Sequence, residues 1–329
     1  MTPGARTEPP IAPGVDGSDL ARAVREGLGG RGPKSLPSRL LYDALGSALF
    51  EAITRLPEYG LTRADERLLQ AHAAEIAGFA RPPIAVAELG SGSGRKARPI
   101  LQSLARRQSE VAYRPIDLSE AALAQSRVEL GGIQSVRVEP ILASYGEGLT
   151  RGVEELEPGE RLLVLFLGGT IGNFDRPEAV RFLADIRARL RPGDGLVLGT
   201  DLMKPVPTLL AAYDDALGVT AAFNKNLLVR LNRELSSDFD LARFDHAARW
   251  NPTERRIEMH LISRGAQTVA LGALGLVVDF EDGETIWTES SYRYENDEVP
   301  AMAARAGFDC LGQWVDEEWP FAETLLTPR

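Results

Sequence analysis

The chain has 329 residues, with 37 Lys plus Arg against 47 Asp plus Glu, a net charge of −10. That acidity, without a long basic run, makes phosphate-backbone binding a poor expectation. A single cysteine excludes an internal disulfide and a cysteine-rich zinc site, and three scattered histidines argue against a histidine metal centre. No apolar run has the length of a membrane span, and the start lacks the apolar core of a signal peptide, so a cytoplasmic protein is expected.

Residues 1–17, rich in Pro and Gly, read as a disordered tail. A helix is predicted from Asp19, with Leu20, Val24 and Leu28 on one stripe. Two more helices follow, broken at Leu56-Pro57-Glu58-Tyr59-Gly60. Thr62 is the expected N-cap of the second, with Leu68, Leu69, His72 and Ile76 on its buried face. From Ile84 short apolar runs alternate with amphipathic helices, the pattern of a parallel α/β sheet. The predicted strands are IAVAEL, VAYRPID, the run VRVEPILASY, RLLVLF and GDGLVLGTDL. After about Leu202 the alternation stops. A helical section around LLAAYDDALGVTAAFNKNLLVRLNREL precedes strand-like runs. A helix and two antiparallel strands, CLGQWVDEE and FAETLLTP, then close the α/β sheet.

The turn Glu88-Leu89-Gly90-Ser91-Gly92-Ser93-Gly94 leaves the first of these strands and opens a helix. Its glycines permit close backbone approach to a ligand, but the strict dinucleotide register GxGxxG is missing. Asp117, at the end of the next strand, is placed to accept ribose hydroxyls. A nicotinamide dinucleotide and S-adenosylmethionine both fit. Glu88 favours the latter, because an acid attracts a cationic sulfonium or amino group and repels a pyrophosphate. Lys96, just past the turn, is a candidate for the methionine carboxylate or a solvated surface lysine. A second sheet-edge motif, Leu167-Gly168-Gly169-Thr170-Ile171-Gly172-Asn173, offers an amide that donates and accepts. It suits an amino acid's carboxylate or amine, or a turn cap. In TESSY, Glu289 and Ser291 share one strand face. An acceptor and a hydroxyl there could read the two nitrogens of an imidazole, or simply form a polar face in water. Met259 reads as a core filler or pocket wall, Tyr213 as a half-buried helix aromatic, and His260 faces away from Met259.

These segments, with KSLPSRLLYD, ITRLPEY, YDDALGVTAAFN, NRELSSDFDL and RIEMHL in order through residues 20–329, resemble the L-histidine Nα-methyltransferases of ergothioneine biosynthesis. The resemblance implies a Rossmann-like class I methyltransferase sheet with a second α+β substrate-binding domain. The expected division is 18–63 with 204–293 for the substrate domain and 64–203 with 294–329 for the S-adenosylmethionine domain. It implies trimethylation of histidine to hercynine, by a monomer without metal, nucleic acid or membrane. By position, Asn173, Tyr213 and Gly168 match groups at the substrate's amino-acid end, and Tyr59 and Tyr42 further pocket residues. Glu289 and Ser291 match the imidazole readers and Met259 the residue packing on the ring. Gly90, Gly92, Lys96 and Asp117 match cofactor contacts, with Glu88 beside them. Where the family usually carries Asp-Phe at the adenine, this chain has Ser144-Tyr145, which supplies a hydroxyl but no charge. Tyrosine faces, from Tyr42 or Tyr59, are expected to stabilise the growing ammonium. The alternatives are methylation of another aromatic amino acid or small amine, a nicotinamide-dependent oxidoreductase, and a non-catalytic binding module.

Overall fold

The computed structural model describes residues 17–30 and 32–329. Almost all of the expected N-terminal tail therefore lies outside the described residues. Helix α1 (Gly17–Leu28) carries Leu20, Val24 and Leu28 buried, as the stripe predicts. A short strand β1 (Lys34–Ser35) precedes helices α2 (Ala44–Ile53) and α3 (Leu61–Ala77). Gly60, not Thr62, is the N-cap of α3. Thr62 is buried inside the first turn, because the chain enters this helix through tertiary packing rather than a side-chain cap.

The α/β section runs β2 (Ile84–Leu89), α4 (Arg98–Ala105), β3 (Val111–Asp117), α5 (Glu120–Leu130), β4 (Val136–Val138), β5 (Ile141–Leu142), α6 (Tyr145–Glu154), β6 (Arg161–Phe166), α7 (Arg176–Arg189) and β7 (Gly195–Asp201). The expected single third strand is two short pieces. Glu139-Pro140 lies between them, and proline donates no backbone hydrogen bond. Helix α7 starts on a capping box, with Asp175 and Glu178 each accepting the other's backbone N–H.

The section after β7 holds α8 (Val206–Tyr213), α9 (Val219–Leu235), β8 (Phe244–Asn251), β9 (Arg256–Ser263), β10 (Gln267–Leu271), β11 (Leu276–Phe280) and β12 (Thr285–Tyr292). The chain ends with α10 (Glu298–Arg305), β13 (Phe308–Val315) and β14 (Phe321–Pro328).

The large sheet has the order β13-β14-β7-β6-β2-β3-β4, with β5 also on β3. All its pairs are parallel except those of β14, which runs antiparallel between β7 and β13. Both faces are covered, so its central strands are mostly apolar, with Glu88 and Arg114 as buried charged exceptions. In β2, Ile84 and Val86 pack towards α3 and α4, while Ala85, Ala87 and Leu89 pack towards the side of α6, α7 and α10. The order reverses between β2 and β6. The carboxyl ends of these two strands therefore flank the crevice in which open α/β sheets bind ligands. The second sheet, β1-β12-β9-β8, shares a separate apolar cluster with α1, α2, α8, α9 and the β10–β11 hairpin. Helix α3 serves both cores: Leu61, Ala64 and Leu68 join this cluster, and Leu69, Ile76 and Ala77 join the large sheet's.

The two sheets are stitched beyond β7 and β12. Tyr294 N–H donates to Asp201 O at 3.3 Å, Met203 N–H donates to Tyr294 O at 3.0 Å, and Arg293 pairs with Asp201. The start of α2 is equally constrained. Asp43 accepts from Gly46 N–H and from the Asn226 amide of α9, each at 2.7 Å. A Cβ on Gly46 would sit 1.8 Å from the Leu41 carbonyl oxygen, which belongs to backbone and cannot turn away. Gly46→Ala is expected to destabilise the fold by about 1–3 kcal/mol. Urea denaturation should give a lower midpoint, and an unchanged midpoint would show that this corner is not tightly packed.

Candidate active site

The turn after β2 is wound by three glycines in the left-handed region: Gly90 (φ 68°), Gly92 (φ 52°) and Gly94 (φ 70°). Gly90 N–H and Ser91 N–H donate back to Ile116 O on β3. The Asp117 carboxylate closes the arrangement, accepting from Gly92 N–H at 3.0 Å and Ser119 N–H at 2.9 Å. Burial nevertheless raises its pKa, with these backbone donors opposing the shift. A Cβ on Gly90 would lie 3.0 Å from the Tyr145 hydroxyl, so the bare backbone leaves room only for a flat neighbour. The Tyr145 ring is itself fixed edge-on to Phe166 at 5.7 Å. Ser144 is exposed at the start of α6, and its hydroxyl donates to Glu147 at 2.7 Å. Glu88 lies under the turn, buried, and accepts the Tyr113 hydroxyl. Burial pushes its carboxyl up to about 8, against the Tyr113 bond and the nearby Lys96 charge.

Lys96 meets the second sheet edge. Its Nζ is 2.8 Å from Asp65 Oδ2, and the same oxygen accepts Gly168 N–H at 3.0 Å. Gly168 (φ 75°) has no side chain because Lys96 takes that space: a Cβ there would be 2.7 Å from Nζ. Behind them Glu323 of β14 is fully buried, within hydrogen-bonding reach of Asp65. Asp65 Oδ1 and both Glu323 oxygens have no donor among the described residues. A buried carboxyl beside another carboxylate is costly to ionise. Burial and the Asp65 charge accordingly hold Glu323 well above the usual carboxylate range. Neither acid is evident from the sequence, although each is an acid within an apolar stripe: Asp65 between Leu61 and Leu68, and Glu323 inside FAETLL.

The opposite wall comes from α8, β9, β12 and the chain around α2. Tyr213 ends α8, and its hydroxyl lies 2.7 Å from Ser291 Oγ. Tyr59 packs edge-on to Tyr213 at 6.3 Å, and Phe50 bridges Tyr59 to Tyr42 at 6.3 and 5.6 Å. Met259 on β9 is buried and is the cross-strand partner of Glu289, beside an irregularity in β12 between Trp287 and Glu289. The Glu289 side chain is buried with no donor bonded to it among the described residues. Burial pushes it up to about 7, partly offset by the Arg293 cation. Arg293 is 1% exposed and is the further member that the sequence reading missed. It donates to Ser291 Oγ at 2.7 Å, and its Nε pairs with Asp201 at 3.0 Å.

Tyr213, Ser291, Tyr59, Tyr42, Glu289 and Met259 thus come together around one pocket wall. The turn Thr170–Asn173 lies against β12, where a Cβ on Gly172 would be 3.0 Å from Tyr292 O and 3.7 Å from Ser291 Oγ. The Asn173 amide is hydrogen-bonded to neither Tyr213 nor Ser291. It lines an open groove of about 580 Å³ with Arg256, Trp287, Ser290 and Tyr292. His260 pairs with Glu258, away from the Met259 side chain. No group of acids, histidines or cysteines able to hold a metal occurs among the described residues.

The glycine-lined turn, the Asp117 carboxylate and the Lys96 ammonium suit a ligand carrying vicinal hydroxyls at one end and a carboxylate at the other, as S-adenosylmethionine does. Comparison with known proteins agrees. The family model for histidine-specific, S-adenosylmethionine-dependent methyltransferases matches residues 20–328. A histidine N-alpha-methyltransferase of Mycobacterium tuberculosis is 43% identical over 315 residues, covering 95% of this chain and 96% of that protein. Ergothioneine biosynthesis protein 1 of Schizosaccharomyces pombe is 30% identical over 303 residues, covering 89% of this chain and 39% of that protein. An L-tryptophan methyltransferase of Psilocybe serbica is 28% identical over 331 residues, 91% of this chain and 90% of that protein.

The raised Glu323 carboxyl has a measurable consequence. A carboxyl whose folded pKa is raised contributes its stability below the unfolded pKa, and that contribution is lost as pH rises through the folded value. Glu323→Gln keeps the shape and a donor towards Asp65 but does not titrate. Its melting temperature is expected to gain on the parent's between pH 6 and pH 9. An equal difference at both pH values would show that Glu323 does not keep its proton in the folded protein.

Proposed function

This chain belongs to the histidine-specific, S-adenosylmethionine-dependent methyltransferases, and from that premise we propose how its pocket transfers methyl groups to the α-amino nitrogen of L-histidine. The protein is an S-adenosylmethionine-dependent N-methyltransferase. Its product is hercynine, the trimethylated amino acid of ergothioneine biosynthesis. The observation that carries the assignment of the pocket is the buried face of β12, with Glu289 and Ser291 side by side and the Met259 side chain beside them.

In this reading Asp117 holds the ribose hydroxyls, Lys96 the methionine carboxylate, and the backbone at Gly90 and Gly92 the body of the cofactor. Tyr145 and Ser144 flank the adenine, and Glu88 stabilises the turn from beneath. When bound, S-adenosylmethionine supplies an electrophilic methyl group on its sulfonium. Glu289 accepts one imidazole N–H, Ser291 serves the other ring nitrogen, and Met259 packs on the ring. Tyr213 and Asn173, with Gly168, hold the amino-acid end, while Tyr59 and Tyr42 line the space around the amine.

The protein's work is to align the amine and exclude water. Tyr42 and Tyr59 are held well above the usual phenol range by burial, and Tyr213 is raised for the same reason, so all three stay neutral. They orient the amine without deprotonating it, and their ring faces suit the ammonium that accumulates with successive methylations. The division of labour we propose places residues 18–63 and 204–293 on the substrate side and 64–203 and 294–329 on the cofactor side. We place this enzyme in the cytoplasm as a monomer. No described helix is long and apolar enough to cross a membrane.

Incubation with L-histidine and S-adenosylmethionine, read by mass spectrometry, should give masses one, two and three methyl groups above histidine. A panel including tryptophan and other aromatic amino acids should give none. Preferred methylation of another amine would replace the substrate. Glu289→Ala should lose about 1.5–3 kcal/mol of histidine recognition, one to two powers of ten in kcat/KM. Its S-adenosylmethionine affinity by calorimetry should not change, and full activity on histidine would remove Glu289 from the pocket. Asp117→Ala should have the converse effect, weakening cofactor binding first.

A further inference from the structure

We propose that Arg293 fixes the polarity of the Tyr213–Ser291 hydrogen bond, so that Ser291 offers its proton to the pocket and the site takes a neutral imidazole. An unprotonated ring nitrogen then faces Ser291, and the ring N–H faces Glu289. This rests on the reading that Glu289 and Ser291 contact the ring, and it adds a positioning residue and a rule of selection to it.

A guanidinium has five donors and no acceptor. Arg293 Nη1 lies 2.7 Å from Ser291 Oγ and 2.9 Å from Ser291 O, so Ser291 Oγ is the acceptor in that bond. The guanidinium has no freedom to turn. Its Nε lies 3.0 Å from Asp201 Oδ2, and Asp201 Oδ1 is held in turn by Lys204 Nζ at 2.5 Å and Trp319 Nε1 at 3.2 Å. Arg293, Asp201 and Lys204 are all buried.

Tyr213 Oη lies 2.7 Å from the same Ser291 oxygen, and the Arg293 cation stands 5.4 Å from the tyrosine ring centroid. Among the described residues Ser291 Oγ is the hydrogen-bond acceptor within reach of the Tyr213 proton; its other polar neighbour, Arg293, can only donate. The tyrosine therefore donates. A serine hydroxyl has two lone pairs and one proton. With Arg293 and Tyr213 occupying the lone pairs, Ser291 has only its O–H left for a ligand.

Glu289, two residues along the same strand face, has no donor bonded to its side chain among the described residues. The pocket thus sets a donor beside an acceptor. A neutral imidazole, with one bare nitrogen and one N–H, satisfies both. An imidazolium would set an N–H against the Ser291 O–H with no acceptor between them, beside the buried Arg293 cation. Tyr213 keeps a lone pair free for an N–H of the substrate amine.

The test uses the full chain with S-adenosylhomocysteine and L-histidine labelled with nitrogen-15 in the ring. Nitrogen NMR of the bound ring at pH 7 is expected to show one unprotonated, pyridine-type nitrogen. Two protonated nitrogens in the bound ring would overturn the proposal while leaving histidine as the substrate. Failure of histidine to bind at all would instead sink the substrate reading and the proposal with it. Arg293→Lys keeps a cation near Asp201 but loses the planar fork. In this variant the bound ring should become protonated at pH 7, and the histidine Kd should rise about tenfold. The S-adenosylhomocysteine Kd should stay within about twofold. Unchanged ring protonation and histidine affinity would remove Arg293 from its role. Should that variant fail to bind S-adenosylhomocysteine, Tyr213→Phe carries the test. It frees one Ser291 lone pair, so the same shift is expected and its absence counts against the proposal.

Discussion

The ion pair between Asp201 and Arg293 is the contact on which the rest of the site depends. Asp201 is the last residue of β7 in the large sheet, and Arg293 is the first residue beyond β12 in the smaller one. Both are buried, and two backbone hydrogen bonds lie beside them. Removing one partner of such a pair leaves an uncompensated charge in the interior, at a typical cost of about 3–5 kcal/mol. The pair is held at both ends, by Lys204 and Trp319 on the aspartate and by the Ser291 carbonyl and hydroxyl on the arginine. In the proposed reading, the strand that reads the substrate is thus registered against the sheet that holds the methyl donor by this pair and the backbone hydrogen bonds beside it. Lys204 is itself buried, and that burial depresses its ammonium to about 8.

The cofactor side follows a different electrostatic plan. Glu88, Asp65 and Glu323 are buried near one ammonium, that of Lys96. Three full negative charges there would be ruinous, and the site avoids them by keeping protons. Glu88 is pushed to about 8, and burial beside Asp65 raises Glu323 well above the usual carboxylate range. Asp65 pairs with Lys96, whose own pKa the neighbouring acids raise despite its burial. Lys96 thus stays charged, fixed by Asp65 at the gap between β2 and β6, and Gly168 is fixed by the same carboxylate oxygen.

Much of the fold was legible in the residues because it rests on periodicity. The apolar runs of β2, β3, β6 and β7, the stripe of α1 and the antiparallel ending of β13 and β14 each announce themselves by spacing and composition. The glycine turn and Asp117 were legible for a related reason: a glycine at positive φ and an acid at a strand end carry local meaning. The misses are tertiary. Thr62 has the chemistry of a cap, but the packing of α3 into two cores sets where that helix begins. Asp65, Glu323 and Arg293 look like ordinary surface charges in one dimension. Their meaning comes from partners 103, 258 and 92 positions away (Gly168, Asp65 and Asp201), which local spacing does not encode. Glu289 and Ser291 were recognisable as a pair, whereas Arg293 continues the same alternation one residue past the end of β12, and its role as donor to Ser291 appears only with its buried partner Asp201.

The protonation states around the pocket also constrain how the reaction is assisted. The amine must be neutral to attack, yet the three tyrosines that surround its expected position are weaker acids than free phenol and provide no tyrosinate near neutral pH. Glu289, which burial pushes up to about 7, lies beside Ser291 and Met259, and in the proposed reading it serves the ring rather than the amine. A wall of neutral phenols is better suited to accepting an N–H and sheltering a methylated ammonium than to removing a proton. Turnover then depends on selecting the uncharged amine and holding its lone pair in line. In the proposed reading, selection of the uncharged ring follows from the donor that Arg293 and Tyr213 leave on Ser291, whereas the neutral phenols at the amine end leave room for the cation that methylation creates.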